Sequence, residues 1–111
     1  MLNSVYFEGR LGDNAVTTEF ANSTVTKFDA CSTNKWTTND GETKEESVWM
    51  KCELWNAKKY QLEQLVKGAL IIILDATLKD ASYVNKDGAK VKDYVLKVNS
   101  YRVIATSKKE D

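Results

Sequence analysis

The stretch SVWMKCELWN at residues 47–56 shows the most regular alternation in the chain. Its even-numbered residues are apolar, while its odd-numbered residues mix aromatic and charged side chains: Val48, Met50, Cys52 and Leu54 against Trp49, Lys51, Glu53 and Trp55. Successive side chains of a β-strand point to opposite faces, so this pattern is typical of a strand with one face in a core. We therefore predict a strand over 47–56 whose even residues are buried and whose other face carries two tryptophans.

Four further segments on either side of this strand are rich in the residues that favour strands. They are residues 3–11, 23–36, 69–78 and 91–105. Turn-forming clusters containing Asp-Gly occupy 37–42 and 85–88, where hairpins are expected. One segment, 57–67, has a helical period, with Leu62, Leu65, Val66 and Ala69 on one stripe. Asn56 is the predicted N-cap of that helix, and Gly68 is its predicted end.

Five strands with one helix between the third and the fourth predict an all-β fold. The arrangement is that of a five-stranded Greek-key barrel of the oligonucleotide-binding (OB) kind. A ferredoxin-like fold would need two helices, and the pattern supports one. A chain of 111 residues fits one domain. We expect that domain over 1–105, followed by a short charged C-terminal tail over 106–111.

The composition excludes several chemistries. The chain has no histidine and only two cysteines, Cys31 and Cys52, which rules out His-based catalysis and a Cys/His metal site. We expect no enzyme, no metal, no cofactor and two reduced thiols. Sixteen basic residues balance sixteen acidic ones, so any nucleic-acid site must come from local patterning. Residues 1–4 lack the features of a signal peptide, and the longest apolar run, 69–74, is too short to span a membrane, which predicts a cytoplasmic protein.

Trp49 and Trp55 lie on the predicted polar face, and exposed aromatic residues of this kind usually mark binding. Trp36 is expected across the hairpin from Trp49, and Tyr83 occupies a comparable place in the second hairpin. Flat rings hold unpaired nucleic-acid bases by stacking, while lysines meet the phosphates. The lysines near these aromatics are Lys35, Lys51, Lys58, Lys59, Lys67 and Lys79. The alternative is that the tryptophans stiffen the hairpins or fill a subunit contact.

Several motifs in order along the chain resemble the bacterial and phage single-stranded DNA-binding protein family. They are Asn3-x-Val5, Glu8-Gly9-Arg10-Leu11-Gly12, residues 28–36, Gly41-Glu42-Thr43-Lys44-Glu45 followed by Trp49, Lys67-Gly68, and Leu78 with Tyr83 and Gly88. Together they cover nearly the whole chain, and their order and spacing are more specific than any one of them.

The resemblance implies four stacking positions, at Trp36, Trp49, Trp55 and Tyr83. It also implies phosphate contacts at Lys51 and Lys67. Three more lysines are added here only because they lie near the aromatics: Lys35, Lys58 and Lys79. The family's homotetramer, a dimer of dimers that uses the first strand, is implied as well.

Two departures from the family pattern change what we expect. Asp75-Ala76 stands where the family usually has Glu-Gly. The chain ends in SKKED at 107–111, whereas cellular members continue through a Gly/Pro/Gln-rich linker to an acidic tip with a terminal Phe. That tip recruits replication and repair enzymes, so recruitment of this kind is not expected here. A phage or plasmid member, or a specialised minimal form, fits this ending, and a phage-encoded protein would work in the host cytoplasm.

The predicted function is non-enzymatic, sequence-nonspecific binding and protection of single-stranded DNA during replication, recombination or repair. One alternative is an OB-fold module that binds RNA or a protein partner through the same aromatic surface. A small enzyme or an oligosaccharide-binding barrel is disfavoured because the chain lacks acid–base residues suited to catalysis.

Overall fold

Alternating β-branched and aromatic residues build a largely β structure in residues 1–106, the part of the chain that the computed structural model describes. The elements in order are β1 (Val5–Leu11), β2 (Val16–Glu19), β3 (Thr24–Thr37), β4 (Thr43–Trp55), α1 (Lys59–Gln64), β5 (Leu70–Asp80), β6 (Tyr83–Val84), β7 (Lys90–Val91) and β8 (Tyr94–Ala105). Most of the predicted charged tail, residues 107–111, lies outside the described residues. Within residues 1–106, no helix is both long enough and apolar enough to cross a membrane.

Five of the strands close into a barrel, in the order β1-β5-β8-β4-β3 and back to β1. The β4–β8 pair is parallel, and the other pairs are antiparallel. Closure leaves the barrel without open edges where its strands meet. The prediction of a five-stranded OB-fold barrel with one helix between its third and fourth strands is confirmed.

The core fills the inside of this barrel. Its fully enclosed apolar side chains come from four barrel strands and from the segment between α1 and β5: Ala30, Cys52, Leu65, Ala69, Ile71, Ile73, Ala76 and Leu96. The predicted inward parity of β4 is confirmed at Cys52 and Leu54, but Val48 is 43% exposed. Val48 pairs with Ser32 on the part of the hairpin that extends beyond the barrel wall, so no core is there to cover it.

The β3–β4 hairpin is longer than predicted. Its ladder runs without interruption from Val25 opposite Trp55 to Thr37 opposite Thr43, so β4 begins four residues before the predicted position 47. Thr38 N donates to the carbonyl oxygen of Glu42 at 2.8 Å and closes the turn. The polar residues 43–46 carry no core pattern, because backbone pairing rather than burial holds them in the strand.

The helix is shorter than the predicted 57–67, and the predicted N-cap at Asn56 is wrong. Asn56 has φ 54°, a left-handed conformation that asparagine tolerates, and its Oδ1 accepts a hydrogen bond from Thr24 N at 3.0 Å. The N-cap is Lys58, whose backbone N donates to Gln61 Oε1 at 2.8 Å. Beyond Gln64 the backbone turns away to bond other segments, since Ala15 N donates to Leu65 O at 2.9 Å.

Three short strands were not predicted. Strand β2 pairs with the start of β3 outside the barrel, and β6 pairs with β7 to form a small separate hairpin. The turn expected at 85–88 is present: Gly88 has φ 81°, and Asn85 Oδ1 accepts hydrogen bonds from Asp87 N and Ala89 N at 3.0 Å. Both cysteines are free thiols, and burial raises the pKa of Cys52 to about 12.

Candidate nucleic-acid interface

The outward face of β3 and β4 forms the floor of a groove beside the barrel. The odd-numbered residues of both strands point to this face, because Val25 pairs with Trp55 and Cys31 pairs with Trp49. The segment before β8 forms one wall of the groove. We call this region the aromatic groove and define it by Lys27, Asp29, Trp49, Lys51, Glu53, Trp55, Asp93 and Tyr94.

Trp49 lies at one end of the aromatic groove and is 58% exposed. Its indole rests on Gly12, where a Cβ atom would lie 2.7 Å from Trp49 Cη2 and Cζ3. Only a glycine leaves room for the ring in this position, because contacts this short do not occur between real Cβ atoms and their neighbours. Gly12 therefore determines where the Trp49 ring sits.

Trp55, which lies six residues further along β4, is 37% exposed and is held in two ways. Its Nε1 donates a hydrogen bond to Glu53 Oε1 at 3.1 Å. Its ring also stacks on Phe20, with centroids 6.2 Å apart and planes inclined by 22°. A strand rises about 3.4 Å per residue, so Trp49 and Trp55 are about 20 Å apart along β4. The predicted exposure of both rings is confirmed.

Glu53 is nearly buried between the two tryptophans of β4, with 7% of the residue exposed. Its Oε1 accepts hydrogen bonds from Trp55 Nε1 and from Lys79 Nζ, the latter at 2.8 Å. Burial acts to raise the pKa of Glu53, but the hydrogen bonds from Lys79 and Trp55 outweigh burial and hold this pKa below its usual value. The carboxylate stays ionised and so neutralises Lys79 locally.

Lys51 lies between the two tryptophans in the sequence of β4 and pairs with Asp93. Lys51 Nζ is 2.5 Å from Asp93 Oδ2, and this hydrogen bond is the largest cause of the raised pKa of Lys51. The same contact, with a hydrogen bond from Tyr94 N, lowers the pKa of Asp93. Tyr83 is 53% exposed on β6, in the small hairpin that it forms with β7.

The other predicted lysines lie around the aromatic groove rather than in it. Lys35 is on the hairpin arm, with its Nζ 4.0 Å from Glu45 Oε2. Lys67 is exposed, and its backbone N donates to Asn14 Oδ1 at 2.8 Å; Asn14 lines the cavity beside Trp49. Lys58 is exposed at the start of α1.

The predicted position of Trp36, across the hairpin from Trp49, is wrong. Trp36 pairs with Lys44, while the residue opposite Trp49 is Cys31, five positions away along β3. Trp36 also has the even parity of the core side chains, so it points to the opposite face of the hairpin from Trp49. The ring is 46% exposed, because the arm that carries it has left the barrel. It therefore forms an aromatic surface separate from the aromatic groove.

Sequence reasoning missed four members or neighbours of the aromatic groove. Phe20 is 55% exposed and Tyr94 is 50% exposed. Lys27 and Asp93 both line one cavity of about 260 Å³. Phe20 follows β2, a strand too short to be recognised, and Tyr94 has the core parity of β8 although it precedes the enclosed part of that strand. No local pattern in the sequence marks any of the four. Within residues 1–106 no cluster of three potential metal ligands occurs.

Comparison with known proteins identifies relatives of this architecture. The model of the single-strand binding protein family matches residues 2–104. A comparison with curated protein sequences finds no match.

The solved structures that share the fold include the following two. One is the Plasmodium falciparum SSB in complex with ssDNA, with a TM-score of 0.76, 16% identity and 95% of each chain covered. The other is a deletion mutant of the single-stranded DNA-binding protein from Thermus aquaticus, with a TM-score of 0.73 and 18% identity. That match covers 93% of this chain, which spans about half (50%) of the Thermus chain.

Proposed function

The chain belongs to the single-strand binding protein family, whose members are non-enzymatic DNA-binding proteins, and we propose how it holds single-stranded DNA. Unpaired bases stack on the exposed rings of the aromatic groove, and lysines beside those rings meet the phosphates. The observation that carries this proposal is the pair Trp49 and Trp55, which lie exposed on one face of β4 with Lys51 between them. Stacking is indifferent to base identity, because every base has a flat π-face.

We assign stacking to Trp49, Trp55, Tyr83 and Trp36. The first two are seated by Gly12 and Glu53, so they are pre-oriented for bases. Tyr83 adds a ring that is exposed on the separate β6–β7 hairpin. Trp36 would engage DNA separately, where a strand leaves the aromatic groove and follows the hairpin arm.

Phosphate contacts are assigned to Lys51 and Lys67, with Lys35, Lys58 and Lys79 around them. Lys58 and Lys67 take part in none of the ion pairs found within residues 1–106. Lys79 is held by the nearly buried Glu53, so we expect it to fix the position of Trp55 more than to bind phosphate. With a formal net charge of zero, affinity depends on stacking and on these local charges.

The protein would protect unwound DNA during replication, recombination or repair, in the cytoplasm, including a host cytoplasm if it is phage-encoded. We further propose a DNA-binding domain over 1–105 with a charged tail over 106–111. A homotetramer built as a dimer of dimers through β1 is supported by exposed apolar side chains on the outside of β1, β5 and β8: Tyr6, Leu74 and Ile104.

A fluorescence titration with oligo-dT, oligo-rU and duplex DNA tests this function. Oligo-dT should quench the tryptophan emission strongly and duplex DNA weakly, and log affinity should fall with log salt by about 0.7 for each phosphate contact. Stronger binding of oligo-rU than of oligo-dT would indicate an RNA-binding module instead. Quenching by no oligonucleotide would contradict the proposal.

Replacing Gly12 with alanine should weaken oligo-dT binding by up to about 3 kcal/mol, the upper value of one base stack. The new Cβ would lie 2.7 Å from the Trp49 ring, which must then leave its seat. The effect is measured by titration of G12A, W49A and the double variant. Because Gly12 acts through Trp49, the substitution should have no further effect in the W49A background. Equal losses in both backgrounds would show that Gly12 acts in another way.

A further inference from the structure

Asp93 is a carboxylate held in a fixed position within the aromatic groove. Its backbone is fixed on both sides: Ala81 N donates to Asp93 O at 2.8 Å, and Asp93 N donates to Ser82 Oγ at 3.4 Å. Its Oδ1 accepts a hydrogen bond from Tyr94 N at 2.9 Å. These contacts direct the other carboxylate oxygen, Oδ2, to Lys51 Nζ at 2.5 Å.

The location of this ion pair matters because it lies where DNA would pass. Asp93 and Lys51 together line two adjoining cavities. One of these also contains Trp49 and Tyr94, and the other contains Lys27 and Asp29. Asp93 therefore lies among the rings and charges that would contact the DNA.

Lys51 is the single basic residue between Trp49 and Trp55 on β4. A phosphate that links bases stacked along this strand would have to meet its ammonium group. In the free protein that ammonium already has an anionic partner. The Lys51 side chain is 62% exposed and the Asp93 side chain 27%, so a phosphate can approach the lysine from the solvent side.

We propose that Asp93 sets the affinity of the aromatic groove by competing with DNA phosphate for Lys51. The inference rests on the proposed function and names a regulating residue of the same site. When DNA binds, Lys51 exchanges the Asp93 carboxylate for a phosphate oxygen. Asp93 keeps its hydrogen bond from Tyr94 N but loses its cation, and its charge then repels the nearby phosphate.

This exchange has two measurable consequences. Part of the electrostatic gain from the phosphate is offset by the lost ion pair, so the affinity for DNA is lower than a free Lys51 would give. When Lys51 neutralises one phosphate, the DNA releases one bound cation. The Asp93 carboxylate, which has lost Lys51, attracts a cation in turn, so the exchange releases no net counterion. Binding should therefore depend less on salt than the number of lysines suggests.

The test is Asp93→Asn, which removes the charge and keeps an oxygen for the hydrogen bond from Tyr94 N. D93N should bind oligo-dT about 1.4-fold to 5-fold tighter at low salt, the range that corresponds to one exposed ion pair. Its log–log salt slope should steepen by about 0.7, the value for one added phosphate contact on a single strand. Thermal unfolding of D93N checks that the fold is retained.

Asp29→Asn is the matched control, because it removes the same charge from the same groove without breaking an ion pair found in the described residues. D93N should exceed D29N in both affinity and salt slope. In a Lys51→Gln background the difference between D93N and D29N should vanish, because the lysine for which Asp93 competes is gone.

Two results would overturn the inference. If D93N binds no tighter than D29N while the wild-type protein binds normally, Asp93 does not compete, and weaker binding by D93N would show that it orients Lys51 instead. If neither the wild-type protein nor the variants bind oligo-dT, the proposed function is wrong and this inference falls with it.

Discussion

Trp49→Ala should lower the affinity for oligo-dT by about 1–3 kcal/mol, the contribution of one base stack, and leave the free energy of unfolding nearly unchanged. The ring is 58% exposed and rests on Gly12, which contributes no side chain. Removal of the ring therefore takes away little buried area from the folded protein, but it takes away the entire surface on which a base would stack. Fluorescence anisotropy of labelled oligo-dT measures the affinity, and urea unfolding measures the stability.

Tyr60→Ala provides the control for Trp49→Ala. Tyr60 is 62% exposed on α1, outside the aromatic groove, so its loss should change neither affinity nor stability appreciably. If W49A unfolds the domain, the ring is a core residue and our assignment of the surface is wrong. If W49A binds as tightly as Y60A, the ring is exposed but does not stack.

Leu65→Ala should have the opposite effect, lowering the free energy of unfolding by about 2–5 kcal/mol while the folded fraction binds DNA normally. Leu65 follows α1, is 1% exposed and belongs to the core cluster inside the barrel. Truncation leaves a cavity that the surrounding strands cannot close, since Leu65 O also anchors Ala15 N. Urea unfolding followed by circular dichroism gives the stability.

Leu2→Ala makes the same chemical change at a site that is 93% exposed, and it should have no measurable effect on stability. Oligo-dT affinity is then measured below the unfolding transition of L65A. A stability loss no greater than that of L2A would show that the Leu65 side chain is not part of the barrel core. A loss of affinity in fully folded L65A would show that core and groove are coupled.

The sequence could predict the features that repeat along a strand. The alternation at 48–55 located both the inward side chains Cys52 and Leu54 and the outward Trp49 and Trp55, because the pleat enforces a period of two wherever one face is buried. The same alternation wrongly predicted that Val48 is buried, because the hairpin extends beyond the barrel at this residue and no core covers either face.

Pairing between strands could not be predicted in the same way. The position of Trp36 depends on the register of the β3–β4 ladder, and that register depends on where the turn closes. Thr38 and Glu42 close it, and this pairs Trp36 with Lys44. The composition of 37–42 predicted a turn but did not predict which residues would pair across it.

Contacts distant in sequence were beyond prediction altogether. Lys51 and Asp93 are 42 positions apart, and Phe20, which stacks on Trp55, follows a strand too short to show a pattern. Asn56 had the residue type of a helix cap but accepts a hydrogen bond from Thr24 N instead. In each case the pairing of strands, and not a local signal, brings the groups together.

The most direct test of base stacking uses a variant in which Trp49 is the only tryptophan, made by Trp36→Phe and Trp55→Phe. Its emission is followed during titration with unlabelled oligo-dT, while anisotropy of labelled oligo-dT records binding under the same conditions. Our account predicts strong quenching of Trp49 that saturates together with the anisotropy. Full binding with unchanged Trp49 emission would contradict it, because the base would then not lie against the indole.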